Sequence, residues 1–216
     1  MASFGVNQAD SFGGQGGGGY FSLKNDGDTA RVRFLYRDIE DVQGYSVHEV
    51  VHNGKKRYVN CLREYGDPIS ACPMCESGNQ PRVKYFIPLY NVDTGTSVTW
   101  ERGKQFGSKL SSLCSHYPNL VQHTFEIERH GAQGSTSTTY DIYENGVDET
   151  VDLDDFTVEH PLGGLILDKT AEEMQTYLRT GAFPSEGGAP EGGFQRRQPQ
   201  QERRTPNGDG GRRQVF

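Results

Sequence analysis

The chain has 216 residues, a formal net charge of −7 and 33% apolar residues. No run approaches the roughly 18 apolar residues of a membrane-spanning helix, and the start, MASFGVNQAD, has neither a basic stretch nor an apolar stretch of a secretory signal. The expectation is a chain without membrane spans that stays in the cytoplasm, where its four cysteines serve as metal ligands or free thiols rather than disulfides.

Residues 1–19 and 184–216 together hold half of the 28 glycines. Both ends read as disordered segments, too poor in apolar groups to offset the entropy of ordering. The stretch 20–183 reads as one domain with a core of its own. Charge is also uneven: residues 1–140 balance, 141–160 carry eight acids and no Lys or Arg, and 184–216 carry six arginines against four acids. The net negative charge therefore does not forbid a local basic groove.

In chain order, Thr29–Tyr36 alternates as a strand, with Ala30, Val32, Phe34 and Tyr36 on one face. Segments 45–52 and 55–61 flank Asn53-Gly54 and predict a hairpin. Residues 62–81 are loop-like. A second hairpin joins 83–92 to 96–102. Phe106, Leu110 and Leu113 predict a helix over about 104–116, ended by Pro118. Strands follow at about 122–129 and 135–143. Thr170-Ala171-Glu172-Glu173 is a capping box that opens a last helix, stopped by Gly181 and Pro184. The fold class is mainly β (α+β). Short antiparallel strands with one helix before the last pair suggest an OB-like small barrel, with an inserted zinc-binding lobe at about 44–81.

Cys72-Pro73-Met74-Cys75 is a C-x-x-C knuckle, with Cys61 and His48 upstream. The two-residue turn pairs His52 with Lys55, Val50 with Arg57 and His48 with Val59. Cys61 then lies diagonal to His48, about 7 Å or less away, whereas His52 sits at the hairpin tip, roughly 20 Å from Cys61. His48, Cys61, Cys72 and Cys75 are therefore the expected ligands of one structural zinc ion, with no open position. A redox CxxC would sit at a helix start in a βαβ context, which is missing. A zinc-dependent nucleobase deaminase needs H-x-E and P-C-x-x-C; here Val50 and Ala71 stand in place of the Glu and the Pro. Cys114 reads as a small buried residue. The glycine run 14–19 matches G-x-G-x-x-G by letter alone, without a strand before it.

Cations and rings interleave along the strands, as in 31–37, 55–58, 63–65, 82–86 and 100–104. Single-stranded nucleic acid binds where cations track phosphates and rings stack on bases. The expected contacts are Arg31, Arg33, Arg37, Lys55, Arg57, Arg63, Lys84, Phe86, Tyr90, Trp100, Arg102 and Lys104. Lys84, Phe86 and Tyr90 share one strand face and form the expected stacking surface; Val83, Tyr85, Ile87 and Leu89 face the core.

The stretch His48…Cys61…Cys72-Pro73-Met74-Cys75, preceded by Asn25-Asp26-Gly27-Asp28-Thr29-Ala30-Arg31-Val32-Arg33-Phe34-Leu35, resembles the zinc-containing single-stranded DNA-binding proteins of tailed phages, the T-even helix-destabilising type. The resemblance implies an OB-fold, one structural zinc, and a non-enzymatic role coating single strands in phage DNA replication, recombination and repair. It also implies partners among replication or recombination proteins, self-association along the strand, and location in the host cytoplasm. A different class, a zinc-lobed protein–protein interaction module, is the alternative that the acidic segment suggests. Members of the phage family often carry a basic N-terminal arm and an acidic tail. Here residues 1–23 lack Lys and Arg, the acids lie at 141–160, and the tail has Arg196-Arg197, Arg203-Arg204 and Arg212-Arg213.

Overall fold

The computed structural model describes residues 19–135, 137–158 and 160–184. The two expected tails lie outside these residues, apart from Gly19 and Pro184. The described residues form nine strands: β1 (Gly19–Tyr20), β2 (Thr29–Phe34), β3 (Gly44–His52), β4 (Lys55–Asn60), β5 (Arg82–Asn91), β6 (Thr96–Gly103), β7 (His123–His130), β8 (Thr139–Val147) and β9 (Ile166–Leu167). They form one sheet in the order β8-β7-β2-β5-β3-β4-β9, with β6 on β5 and β1 on β6. The pairs β1–β6 and β4–β9 are parallel and the rest antiparallel. The helices are α1 (Pro73–Glu76), α2 (Gly107–His116) and α3 (Ala171–Thr180).

The mainly β class holds, and so do both hairpins. Asn53 and Gly54 take positive φ, 51° and 72°, as a two-residue turn demands. The register that follows is His52↔Lys55, Val50↔Arg57 and His48↔Val59. The 104–116 helix opens with a 3-10 turn, Lys104–Phe106, before α2. Thr170 and Glu173 make their capping box at α3.

The ladders do not close a barrel. Among the described residues none joins β8 to β6 or β9, so the sheet is open. β5 organises it, pairing with β3 over Arg82–Tyr85, with β2 over Leu89–Asn91 and with β6 over Lys84–Asn91. The sheet still curls. Tyr140 of β8 meets Trp100 of β6 edge-on at 5.1 Å.

Three apolar clusters follow. The main core holds Phe34, Trp100, Leu110 and Phe125 beneath α2. A second holds Val50, Val59, Met74 and Met174 around the knuckle. The third lies on the opposite sheet face, where Val47, Phe86 and Ile166 pack with Leu162 and Leu165. The segment leading into β9 thus covers a face that the sequence presents as open. No helix among the described residues is long and apolar enough to cross a membrane.

Candidate metal centre and nucleic-acid face

His48 sits mid-strand on β3, and Cys61 extends the hairpin past β4, its N–H donating to Ser46 O at 2.9 Å. Cys72 and Cys75 bracket the first turn of α1, with Pro73 at a position where a missing N–H costs nothing. Glu76 N–H donates back to Cys72 O at 3.0 Å and closes that turn.

His48 Nε2 lies 3.4 Å from Cys72 Sγ and 3.7 Å from Cys75 Sγ. Cys61 Sγ lies 3.7 Å from Cys75 Sγ, and one donor atom from each of the four residues fits within 4.8 Å of the others. A tetrahedron with metal–sulfur bonds of about 2.3 Å and metal–nitrogen bonds of about 2.0 Å has S–S and S–N edges of about 3.8 and 3.5 Å. The donor set therefore fits a four-coordinate metal ion such as zinc. His48 and Cys72 are fully buried.

The surroundings favour ionised sulfur at the turn. Burial opposes ionisation of Cys72, but backbone hydrogen bonds at Cys75, Leu62 and Met74 outweigh it and lower its pKa. Burial pushes the Cys61 thiol up to about 11. Burial also lowers the His48 pKa, while Asn79 acts in the opposite sense. Asn79 approaches the ring without a well-aligned bond to Nδ1, which has no hydrogen-bond partner among the described residues.

Arg63 belongs to this centre. Its Nη1 donates to Cys75 Sγ at 3.8 Å, and its Nε and Nη2 donate to Asp67 O at 3.3 and 2.8 Å. Three thiolates around a divalent ion leave one negative charge, which this guanidinium faces. Helix α3 seals the other side. Met174 is fully buried against the knuckle. The Tyr177 hydroxyl donates to Val51 O at 3.0 Å and accepts from Val51 N–H at 3.1 Å. Cys114 lies elsewhere, packed against the main core.

The expected nucleic-acid contacts divide. Trp100 and Phe86 are interior, 0% and 5% exposed, so neither ring can stack on a base in this structure. Arg102 is drawn inward: its guanidinium lies 4.2 Å from the Trp100 ring and 4.1 Å from the Tyr140 ring, and burial lowers its pKa. The reason is strand alternation, which puts Arg102 on Trp100's side of β6. Arg33 donates to the carbonyls of Val121 and Gln122. Arg31 pairs with Asp93, Arg37 with Asp152 and Asp154, and Tyr90 packs its ring on Phe156.

The remaining cations are spread over the surface. Lys55 is exposed at the hairpin tip and Lys104 is exposed ahead of α2. Arg57 donates to Gly164 O, and Lys84 pairs with Glu101 at 2.6 Å. A groove of about 370 Å³ is lined by Tyr20, Glu49, Lys56, Arg57, Tyr58 and Glu101, with Lys56 paired to Glu49 at 2.8 Å. Tyr20 is not among the expected contacts, and neither are Lys56 and Tyr58, although both belong to the interleaved run 55–58. Alternation along β4 is the signal that places Lys56 and Tyr58 together on one face.

Comparison with protein-family models and with characterised proteins finds no match for this chain.

Proposed function

We propose that this protein is a non-enzymatic, sequence-tolerant single-stranded DNA-binding protein with one structural zinc, serving phage DNA replication, recombination and repair in the host cytoplasm. The observation that carries the reading is the groove where the Tyr20 and Tyr58 rings lie beside Lys56 and Arg57. Tyr20 is 55% exposed, so its ring is available to a base. Stacking of that kind is worth about 1–3 kcal/mol per base and is indifferent to sequence. The curled sheet, with Tyr140 against Trp100, supports treating the domain as a splayed OB-like barrel. The knuckle's resemblance to the phage family supports the biological setting, the replication and recombination partners and self-association along the strand. A fourth donor, Cys61, stands where a deaminase would keep a water, which speaks for a structural rather than catalytic metal.

The test is an anisotropy titration of the full chain with labelled oligo-dT and with a duplex of equal length. Tighter binding of the single strand, weakened at least fivefold by Tyr20→Ala or Lys56→Ala, is expected. Equal affinity for the two would remove the reading.

One observation favours the second reading, a protein-interaction module. On the zinc lobe Tyr65 is 108% and Ile69 59% exposed. The turn below Tyr65 is fixed by Asp67 accepting from Glu64 N–H at 2.8 Å. Failure to bind any oligonucleotide at low salt would leave this lobe as the functional surface.

A further inference from the structure

The acidic stretch does not hang free of the sheet. From Asp148 to Pro161 it runs across the face that bears Tyr90, Pro88 and Phe86. At one end Arg37 Nη2 holds Asp152 Oδ1 at 3.0 Å and Asp154 Oδ1 at 2.8 Å. Next to it the Phe156 ring sits 4.8 Å from the Tyr90 ring, at an interplanar angle of 50°. Further along, Leu153, Val158, His160 and Pro161 roof a cavity of about 220 Å³ whose floor is Leu35, Phe86 and Pro88. Two carboxylates on a guanidinium and one ring on a tyrosine reproduce, in side chains, what a nucleotide would offer: anionic oxygens for the cation and a flat π-face for the ring.

We propose that Arg37 and Tyr90 form a nucleotide subsite, and that the segment 148–161 is an internal occupant of it that single-stranded DNA displaces. The inference rests on the single-strand reading above and adds the regulation of that site. It departs from any device built on a terminal tail, because the occupant lies between β8 and β9 in the middle of the fold.

The strap is built to leave. Among its described residues from 148 to 161 only Pro161, at its far end, is buried. Its ion pairs are exposed, with Arg37 at 46%, Asp152 at 62% and Asp154 at 86% side-chain accessibility, and such pairs hold weakly in salt. Segments with few buried apolar groups open at low free energy. Gly146 and Gly163 bound the strap with φ of 121° and 88°, values that side-chain-bearing residues seldom adopt. Beyond Gly163 the chain is fastened, by β9 on β4 and by Lys169 N–H donating to Asn60 Oδ1 at 2.8 Å. Opening is thus confined to 148–161 and leaves the metal lobe and α3 in place. The open groove at Tyr20 and Tyr58 gives a strand its first hold, and displacement extends that hold along β5 to Tyr90.

The experiment compares the full chain with the triple variant Asp152→Asn, Asp154→Asn, Phe156→Ala. Asn at 152 keeps the side-chain acceptor that caps the 3-10 turn Leu153–Asp155. A second variant, Glu64→Gln with Glu76→Gln, makes the same change of charge on the zinc lobe. Oligo-dT should bind the strap variant about tenfold more tightly, and the lobe variant within twofold of the natural chain. Equal gains in both would overturn the proposal in favour of bulk charge, and no gain in the strap variant would overturn it outright. If neither the natural chain nor the strap variant binds oligo-dT, the single-strand reading itself fails. If the natural chain binds and the strap variant binds equally, that reading stands and the strap falls. As a check independent of substitution, deuterium uptake at amides 148–158 of the natural chain should rise when dT is added. Unchanged or reduced uptake counts against displacement.

Discussion

Replacing Cys72 by serine exchanges a buried sulfur, whose ionisation the Cys75, Leu62 and Met74 backbone favours, for a hydroxyl that stays protonated. A closed site of this type contributes on the order of 10 kcal/mol to folding, comparable to the whole stability of a small domain. Cys72→Ser should therefore lose the bound metal and unfold the lobe, and Cys114→Ser should keep both; metal analysis beside a thermal melt reads the difference. Arg63 gives a sharper test of how the structure reassigns a residue. By its place in the sequence it belongs with the DNA contacts, but its guanidinium lies on Cys75 Sγ and Asp67 O. Arg63→Ala is expected to lose metal to a chelator about tenfold faster while leaving oligo-dT affinity within twofold. A large fall in affinity with unchanged metal retention would return Arg63 to the nucleic-acid face. His48, Cys61, Cys72 and Cys75 were legible because a two-residue turn fixes the hairpin register, and register fixes which side chains share a face. Arg102, Trp100 and Phe86 were not, because both faces of this sheet are covered, one by α2 and the other by a segment whose acidic composition suggests solvent.

Helix α3 is short, so its ends matter. Thr170 accepts from Glu173 N–H at 3.3 Å, and Glu173 Oε2 accepts from Thr170 N–H at 2.9 Å. The hydrogen bond from the Thr170 backbone holds the Glu173 carboxyl below the ordinary glutamate range; burial opposes it, and the Lys169 ammonium adds to the lowering. A carboxyl whose folded pKa is depressed contributes stability above its unfolded pKa and loses it as pH falls through the folded value. Thr170→Ala should cost about 1 kcal/mol at pH 7, and Glu173→Gln should flatten the decline in melting temperature expected of the natural chain between roughly pH 5 and 3, the range of ordinary carboxyl values. A decline of equal steepness in the variant would assign the acid sensitivity to other carboxylates. Tyr177 ties the same helix to the sheet edge through both polar groups of Val51. Tyr177→Phe should cost about 1 kcal/mol in urea unfolding, with metal retained. The capping box was visible in Thr170-Ala171-Glu172-Glu173, whereas the Tyr177–Val51 link was not, because it joins residues whose proximity depends on the β4–β9 pairing and on Asn60 holding Lys169.

At the scale of the whole molecule, a chain of net charge −7 must bind a polyanion through a local field. Lys55 and Arg57 carry that field at the tip and flank of one hairpin, and Lys56 between them is paired with Glu49 at 2.8 Å. Two phosphates neutralised on a single strand by Lys55 and Arg57 give a slope of about −1.4 for log affinity against log salt, since each contributes about −0.7. In the natural chain Arg37 is held by its two aspartates and adds nothing to that count. Once the strap is neutralised, Arg37 becomes available and the slope should steepen to about −2.1. Relieved repulsion also steepens the dependence, because the repulsion it removes was itself weakened by salt; the lobe variant of equal charge is therefore measured by anisotropy over the same salt range, and only a slope steeper in the strap variant than in the lobe variant marks a freed phosphate contact. A slope near zero in the natural chain would mean that phosphates are not what the hairpin cations hold, and the surface at Tyr65 and Ile69 would then be the one to probe.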